Sequence, residues 1–136
     1  MTLHLLKNIA RSLTLRDATD EEIKSDAVDL RFAPSFQDGS KTEFAILFDL
    51  RLTFEGKFLA AEYLTIFETS EEFSDDFPTS NFVKMNAPAI AFPFIRSYVA
   101  HITLIAGYSP VVLPSVNFVE ITRSGELIPK AAEEDA

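Results

Sequence analysis

The chain has 136 residues, 47% of them hydrophobic, with 12 Lys plus Arg against 21 Asp plus Glu and a formal net charge of -9. That length predicts one domain burying about two thirds of the surface its unfolded chain exposes, and the absence of cysteine excludes a disulfide framework, thiolate zinc sites and a cysteine nucleophile, which fits a reducing cytoplasm. The acidic balance opposes binding to nucleic acid or to an anionic membrane surface, because each phosphate contact would be made against the protein's own negative field, and it favours basic or neutral partners.

Residues 1–11 lack the positive end, unbroken apolar stretch and small-residue cleavage site of a secretory signal, so no export is expected. Leu3, Leu5, Ile9, Leu13 and Leu15 share one parity and predict a first strand, although Leu6, Ala10 and Leu13 also fit a helical stripe. Residues 17–22 lack the glycine and the terminal bidentate Glu of a calcium loop and read as a capped acidic turn. Val28, Leu30 and Phe32 then alternate with Asp29 and Arg31, predicting a strand that ends near Pro34, followed by the turn Gln37-Asp38-Gly39-Ser40. Residues 43–55 alternate most clearly, with Phe44, Ile46, Phe48, Leu50, Leu52 and Phe54 on one face. Glu55-Gly56-Lys57 is a short turn, and the apolar run 58–67 completes an antiparallel hairpin.

After the acidic connection 68–76, Thr79-Ser80 offers a helix N-cap. Asn86 is expected to cap a helix with Pro88 near its first position and its end at Gly107, with Pro93 bending the first turns. Residues 87–106 are apolar enough to raise a membrane span, but Pro88, Pro93, Arg96 and His101 are costly in hydrocarbon, so a buried helix is expected instead. Its apolar residues leave only a narrow polar strip at Arg96, Ser97, His101 and Thr103. Such a helix must be buried on two sides, against its sheet and against another subunit, with Phe94, Tyr98, His101, Ile102 and Ile105 expected at the subunit interface. The boundary falls after residue 123, and the tail 124–136, ending in Glu133-Glu134-Asp135, is expected to be mobile. Thirteen of the 21 acids cluster in residues 17–26, 68–76 and 133–135. They read as solvated connections that keep a Phe-rich protein soluble, or else as a docking surface for a basic partner.

Catalytic chemistry is not expected. His4 and His101 are far apart and no metal-ligand spacing occurs. Gly107-Tyr108-Ser109-Pro110-Val111 starts like a nucleophile elbow but lacks its second glycine, and Pro110 removes the N–H an oxyanion hole needs. The four glycines are scattered, so no phosphate cradle forms and no cofactor is expected. Thirteen Phe and three Tyr with no Trp are the distinctive content. A core on residues 44–54 is expected to leave Phe32, Phe36, Phe67, Phe73, Phe77, Phe82, Phe92 and Phe94 as a surplus, implying an oligomer interface, a groove for apolar ligands, or both.

Asn86-Ala87-Pro88-Ala89-Ile90-Ala91-Phe92-Pro93-Phe94-Ile95-Arg96, then Ala106-Gly107-Tyr108-Ser109-Pro110 and Leu113-Pro114-Ser115-Val116-Asn117-Phe118, closely resembles the SecB family of protein-export chaperones. The asparagine-x-proline opening, the Phe-Pro-aromatic kink, the arginine after it and the Leu-Pro-x-Val-Asn-Phe closure occur in the family's order, and Val28-x-Leu30, the strand 43–54 and Ile66-Phe67 match its strands. The resemblance spans residues 28–121. It implies an α+β subunit, with a four-stranded antiparallel sheet and a long helix packed on one face, assembling as a dimer of dimers. It also implies a cytoplasmic, ATP-independent holdase that binds unfolded or slow-folding polypeptides multivalently and passes exported ones to the SecA motor.

By similarity, Val28, Leu30, Phe32, Ile66 and Phe67 line the client groove, ordinary core packing being the alternative for each, and Glu62 corresponds to a SecA-docking acid. Lys7-Asn8 and Ser12 stand where the family's first strand carries Lys-Asp and then Glu. Residues 122–129, with Gly125 and Pro129, are too short for the family's second helix, which implies a more open groove. These departures raise two alternatives: a SecB-like chaperone dedicated to one client such as an antitoxin, and a non-catalytic oligomeric module that docks one folded partner.

Overall fold

In a computed structural model, which describes residues 1–119, four strands form one antiparallel sheet. They are β1 (Leu3–Asp17), β2 (Asp29–Phe36), β3 (Glu43–Phe54) and β4 (Lys57–Thr69), in the spatial order β1-β4-β3-β2. A short helix α1 (Asp20–Ser25) lies between β1 and β2, and the long helix α2 (Ala87–Ile105) follows the sheet. The tail from residue 124, the boundary at 123 and the segment 122–129 lie outside the described residues.

Two-residue periodicity builds the core. Phe44, Ile46, Phe48, Leu50 and Leu52 of β3 stand opposite Phe67, Thr65, Tyr63, Ala61 and Leu59 of β4, and all ten are buried. The hairpin turns at Glu55 and Gly56, whose φ values of 45° and 77° meet the left-handed requirement of a tight two-residue turn. Pro34 does not end β2, which continues to Phe36, because an edge strand tolerates a residue without an N–H.

β1 departs from the single parity of its sequence. Register shifts between Leu5 and Lys7 and between Ala10 and Ser12 each insert an extra residue. The first bulge turns Asn8 and Ala10 to the core side, opposite Thr65 and Tyr63, and puts Ile9 on the outer face opposite Leu64; the second returns Leu13 and Leu15 to the core side. Ile9 is therefore not on the face its spacing predicts. Asn8 instead accepts a hydrogen bond from the hydroxyl of the fully buried Thr65, at 2.7 Å.

The acidic turn after β1 is capped as expected. The Glu22 N–H donates to the Thr19 hydroxyl (3.2 Å) and the Thr19 N–H to the Glu22 carboxylate (2.8 Å), a reciprocal capping box.

Ser80 is extended and its carbonyl accepts from the N–H groups of Val83 and Lys84, so the helical run starts just after the Thr79-Ser80 signal, but neither hydroxyl caps it: Thr79 donates to the Asp76 carbonyl and Ser80 to the Phe77 carbonyl. Asn86 is not a cap. Its backbone is helical and its side chain makes no capping bond, because a widened turn over Phe82–Asn86, closed by the Ala87 N–H on the Phe82 carbonyl, carries the chain unbroken into α2. Pro93 sits inside α2, which runs through it. At the far end Gly107 (φ 102°) donates to the Leu104 carbonyl and Tyr108 to the Thr103 carbonyl, the paired bonds of a Schellman ending. The run Phe82–Ile105 is long and apolar enough to cross a membrane by length and composition. In the fold it lies on the sheet, with Ala87, Ala91, Phe92, Ile95 and Val99 buried. Buried Thr103 ties it to the following segment, donating to the Val99 carbonyl (2.8 Å) and accepting from the Val111 N–H (2.9 Å).

The expected phenylalanine surplus is largely absorbed. Phe67, Phe77 and Phe92 are buried, Phe32, Phe36, Phe73 and Phe82 pack half-buried against the core, and of these eight only Phe94 is exposed. One domain houses them because the acidic connection folds back under its own aromatic residues. Phe73 stacks on Phe77 at 4.8 Å, and Phe36 meets Phe73 edge-on at 5.5 Å.

Candidate functional site

Among the described residues, large apolar side chains are exposed on the outward side of α2 (Ile90, Phe94, Leu104 and Ile105), on the edge strand β1 (Leu6 and Leu13) and at Ile23, Val112 and Val119, while the edge strand β2 carries the half-buried Phe32 and Phe36. At the β2 edge, Phe32 is half-buried, its ring 6.0 Å from Phe48 and 5.4 Å from Phe118. The segment after α2 returns across this edge, and Phe118 wedges between Phe32 and Phe92, 5.8 Å from the latter. Val28, also half-buried, lines an open cleft of about 450 Å³ with Ala27, Phe58, Arg31 and Arg51.

The five residues assigned to the groove are not brought together. Val28 and Phe32 flank the open edge, whereas Leu30 and Phe67 are buried in the core. Ile66 points to the opposite, outer face, opposite Lys7 and Ala45, because neighbouring strand residues face opposite sides. Phe118 joins the site without having been singled out as a site residue. Its only signal was its place at the end of the Leu-Pro-x-Val-Asn-Phe motif.

The outer sheet face is polar at one end. Asp29 stands opposite Arg51 and Arg31 opposite Asp49, with ion pairs Arg31–Asp29 at 3.4 Å and Arg51–Asp49 at 3.7 Å. Glu62 lies on this face beside Asp49 and opposite Ser12. Asn8 faces the core side, so of the two altered first-strand positions only Ser12 shares a face with Glu62.

Arg16 anchors the wall of the cleft. Its guanidinium grips the Glu22 carboxylate through two bonds of 2.9 and 2.8 Å and lies 4.2 Å above the Phe58 ring. The Arg16 bond, then the Thr19 backbone bond, lowers the Glu22 carboxyl to about 2. A depressed carboxylate contributes stability above its unfolded value near 4.5 and loses it as pH falls through the folded value. The protection factors of the α1 amides, taken against the intrinsic exchange rate at each pH, should therefore be constant above about pH 5 and fall between about pH 4.5 and 2. In Glu22→Gln the amides should be less protected at neutral pH and that acid step should vanish; an unchanged step would assign it to another group.

On α2, Phe94 is 43% and Ile105 79% exposed, and His101 is exposed with its Nδ1 2.7 Å from the Ser97 carbonyl. Tyr98 and Ile102 are half-buried. The Tyr98 ring lies 5.1 Å from Tyr63, and burial raises both phenols. The expected interface set thus divides, with Phe94, His101 and Ile105 outward and Tyr98 and Ile102 turned partly inward. Among the described residues, no three His, Asp or Glu side chains converge as a metal ion would require.

A family model described as preprotein translocase subunit SecB matches residues 28–125. Among solved structures, a SecB-like chaperone from Mycobacterium tuberculosis, in complex with a ChAD peptide from an antitoxin, is similar with a TM-score of 0.61 at 11% identity, over 84% of this chain and 90% of that chain. A protein of unknown function from Streptococcus agalactiae is similar with a TM-score of 0.57 at 10% identity, over 85% of this chain and 98% of that one. At such identities the likeness is one of fold. In sequence, an uncharacterized protein of Methanocaldococcus jannaschii is 37% identical over 60 residues, which span 44% of this chain and 37% of that protein's length.

Proposed function

This chain belongs to the SecB family, and on that premise we propose that it is an ATP-independent cytoplasmic holdase. It binds unfolded or slow-folding polypeptides in an assembled oligomer, a homotetramer built as a dimer of dimers, without catalysis. The observation that carries this reading is the exposed apolar surface along α2 at Phe94 and Ile105, with the half-buried Phe32 at the β2 edge beside it. Weak apolar contacts repeated on several subunits add up on one extended client, while a folded protein offers nothing to bind. Val28 and Phe32 are the client contacts favoured by this geometry. Leu30 and Phe67 support them from the core, and Ile66 serves a separate outer surface.

Two finer readings divide on the partner. Hand-over of exported proteins to SecA would use the outer face, where Glu62 is the candidate contact. Service to a single client such as an antitoxin is favoured by Asn8 facing the core and Ser12 replacing an acid, and by the SecB-like relative that was solved with an antitoxin peptide.

The test is aggregation suppression of a chemically denatured, slow-refolding polypeptide, with native mass recorded by light scattering. Half-maximal suppression is expected at micromolar chaperone, about -8 kcal/mol of binding, saturating near one client per oligomer. An intact oligomer that gives no suppression would overturn the general holdase and leave the dedicated chaperone or the folded-partner module.

A further inference from the structure

The arginines around the cleft at the start of β2 stand in two different states. Arg16 uses its whole fork, with both Nη nitrogens on the Glu22 carboxylate and the guanidinium over the Phe58 ring. Arg31 and Arg51 do not. Each reaches only the aspartate two residues before it on its own strand, through Nε, at 3.4 Å for Arg31–Asp29 and 3.7 Å for Arg51–Asp49. The register also sets Asp49 opposite Arg31 and Asp29 opposite Arg51, yet neither cross-strand pair forms. Among the described residues, the Nη nitrogens of these two arginines therefore have no hydrogen-bond partner. Ion pairs this long between exposed side chains contribute little and exchange readily.

On a chain of net charge -9, this corner is locally neutral. Arg16 balances Glu22, and the four charges of Asp29, Arg31, Asp49 and Arg51 cancel. A polar hollow of about 150 Å³ among those four side chains adjoins the cleft of about 450 Å³, a size that falls within the range of about 300–1,000 Å³ for ligand sites. Beside the arginines the cleft is apolar, lined by the half-buried Ala27, Val28 and Phe58. Its wall is arranged in advance, because the capping box and Arg16 fix α1. A ligand that suits both halves carries an apolar side chain close to a carboxylate. The cleft also continues the β2 edge, so an extended polypeptide lying along that edge reaches it.

We propose that this cleft is an acid-selective subsite for the client. An apolar residue of the extended polypeptide lies on Val28 and Phe58, and an Asp or Glu two positions along, on the same side of the client strand, takes the Nη groups of Arg31 and Arg51. The inference deepens the client-binding reading and rests on it. Arginine suits the task because its planar fork meets a carboxylate through two parallel bonds, which the point charge of a lysine does not. The negative field of the whole chain draws basic clients, whereas the subsite selects one carboxylate at one place in them.

The probes are short labelled peptides that differ at one position, Leu-x-Glu, Leu-x-Gln and Leu-x-Lys, titrated with the full chain at low salt and read by fluorescence anisotropy. The glutamate peptide should bind about fivefold tighter than the glutamine peptide, the equivalent of about 1 kcal/mol. Arg31→Gln with Arg51→Gln should level the two, and Arg31→Glu with Arg51→Glu should put the lysine peptide first. Lys7→Gln with Lys41→Gln, the same loss of charge at the other end of the sheet, should leave the glutamate preference in place. Equal affinities in the parent, a preference for lysine there, or a glutamate preference that survives loss of both arginines would each overturn the inference. So would a tenfold gain for the glutamate peptide when Glu133, Glu134 and Asp135 are all replaced by Ser, because the chain's own acids would then be the occupant. Aggregation suppression by the same proteins separates the two readings. Suppression without a glutamate preference would sink the subsite and leave the holdase, whereas an arginine-dependent preference without suppression would leave an acid-selective docking cleft and sink the holdase. If none of the peptides binds, the subsite falls whatever the suppression assay gives.

Discussion

Phe44→Ala should remove about 3–5 kcal/mol of stability, the range for deleting a well-packed aromatic side chain. Phe44 is 2% exposed and lies where β2, β4 and the acidic connection meet. Its ring stacks on Phe36 at 5.6 Å and on Phe67 at 5.4 Å, and takes the edges of Phe77 at 5.5 Å and Phe73 at 6.1 Å. Truncation leaves a void lined by four rigid rings that cannot all move in, so both the transfer free energy and the cavity contribute. Against a typical total of about 5–15 kcal/mol, this is a large fraction. Urea unfolding followed by far-ultraviolet circular dichroism should show the midpoint falling by at least about 1 M. Phe73→Ala, at the half-buried rim of the same cluster, should shift it by less than half as much. Equal shifts would mean that the cluster has no buried centre.

The second large effect separates folding from client binding. Leu30→Asp places a carboxylate at a position 2% exposed, opposite Leu50 on β3 and inside the hydrophobic core cluster. A charge buried in that apolar cluster costs several kcal/mol, and the variant should not accumulate as folded protein. Phe32→Ala tests function. Its ring bridges Phe48 and Phe118 at the open edge, so the sheet should survive its loss with native circular dichroism. Client affinity should nevertheless fall about tenfold, the equivalent of about 1.4 kcal/mol, read as a rightward shift of the aggregation-suppression curve. A folded Phe32→Ala that suppresses aggregation like the parent would remove the β2 edge from the client surface.

The contrast between Leu30 and Phe32 shows why the site was only partly legible. Both residues share one strand and one parity, and alternation places both on the core side. What distinguishes them is coverage: Leu30 lies under packed structure, while Phe32 lies where the sheet ends. Ile66 and Phe67 pose the opposite problem, being adjacent in a family-like motif yet on opposite faces. For α2, composition called for burial beyond its own sheet, but it could not tell Tyr98 and Phe94 apart. Turning one towards Tyr63 and the other outward depends on the helix's rotation over the sheet.

Local chemistry was readable wherever a feature depends on near neighbours. The alternation of residues 44–54, the Glu55-Gly56 turn, the Thr79-Ser80 helix start and the glycine after α2 each follow from backbone preferences acting over a few residues. The family was readable for the same reason, through contiguous motifs. Tertiary structure alone decided the two bulges of β1, the sheet order that makes β1 and β2 edges, the continuity of the helix through Asn86, and the stacking that absorbs seven of the eight phenylalanines expected to overflow. These depend on which distant segments meet and in what register, and hydrophobicity carries no direction. An apolar side chain is marked for burial by its sequence, but only the packed neighbours determine whether it is covered by its own chain or left open for another.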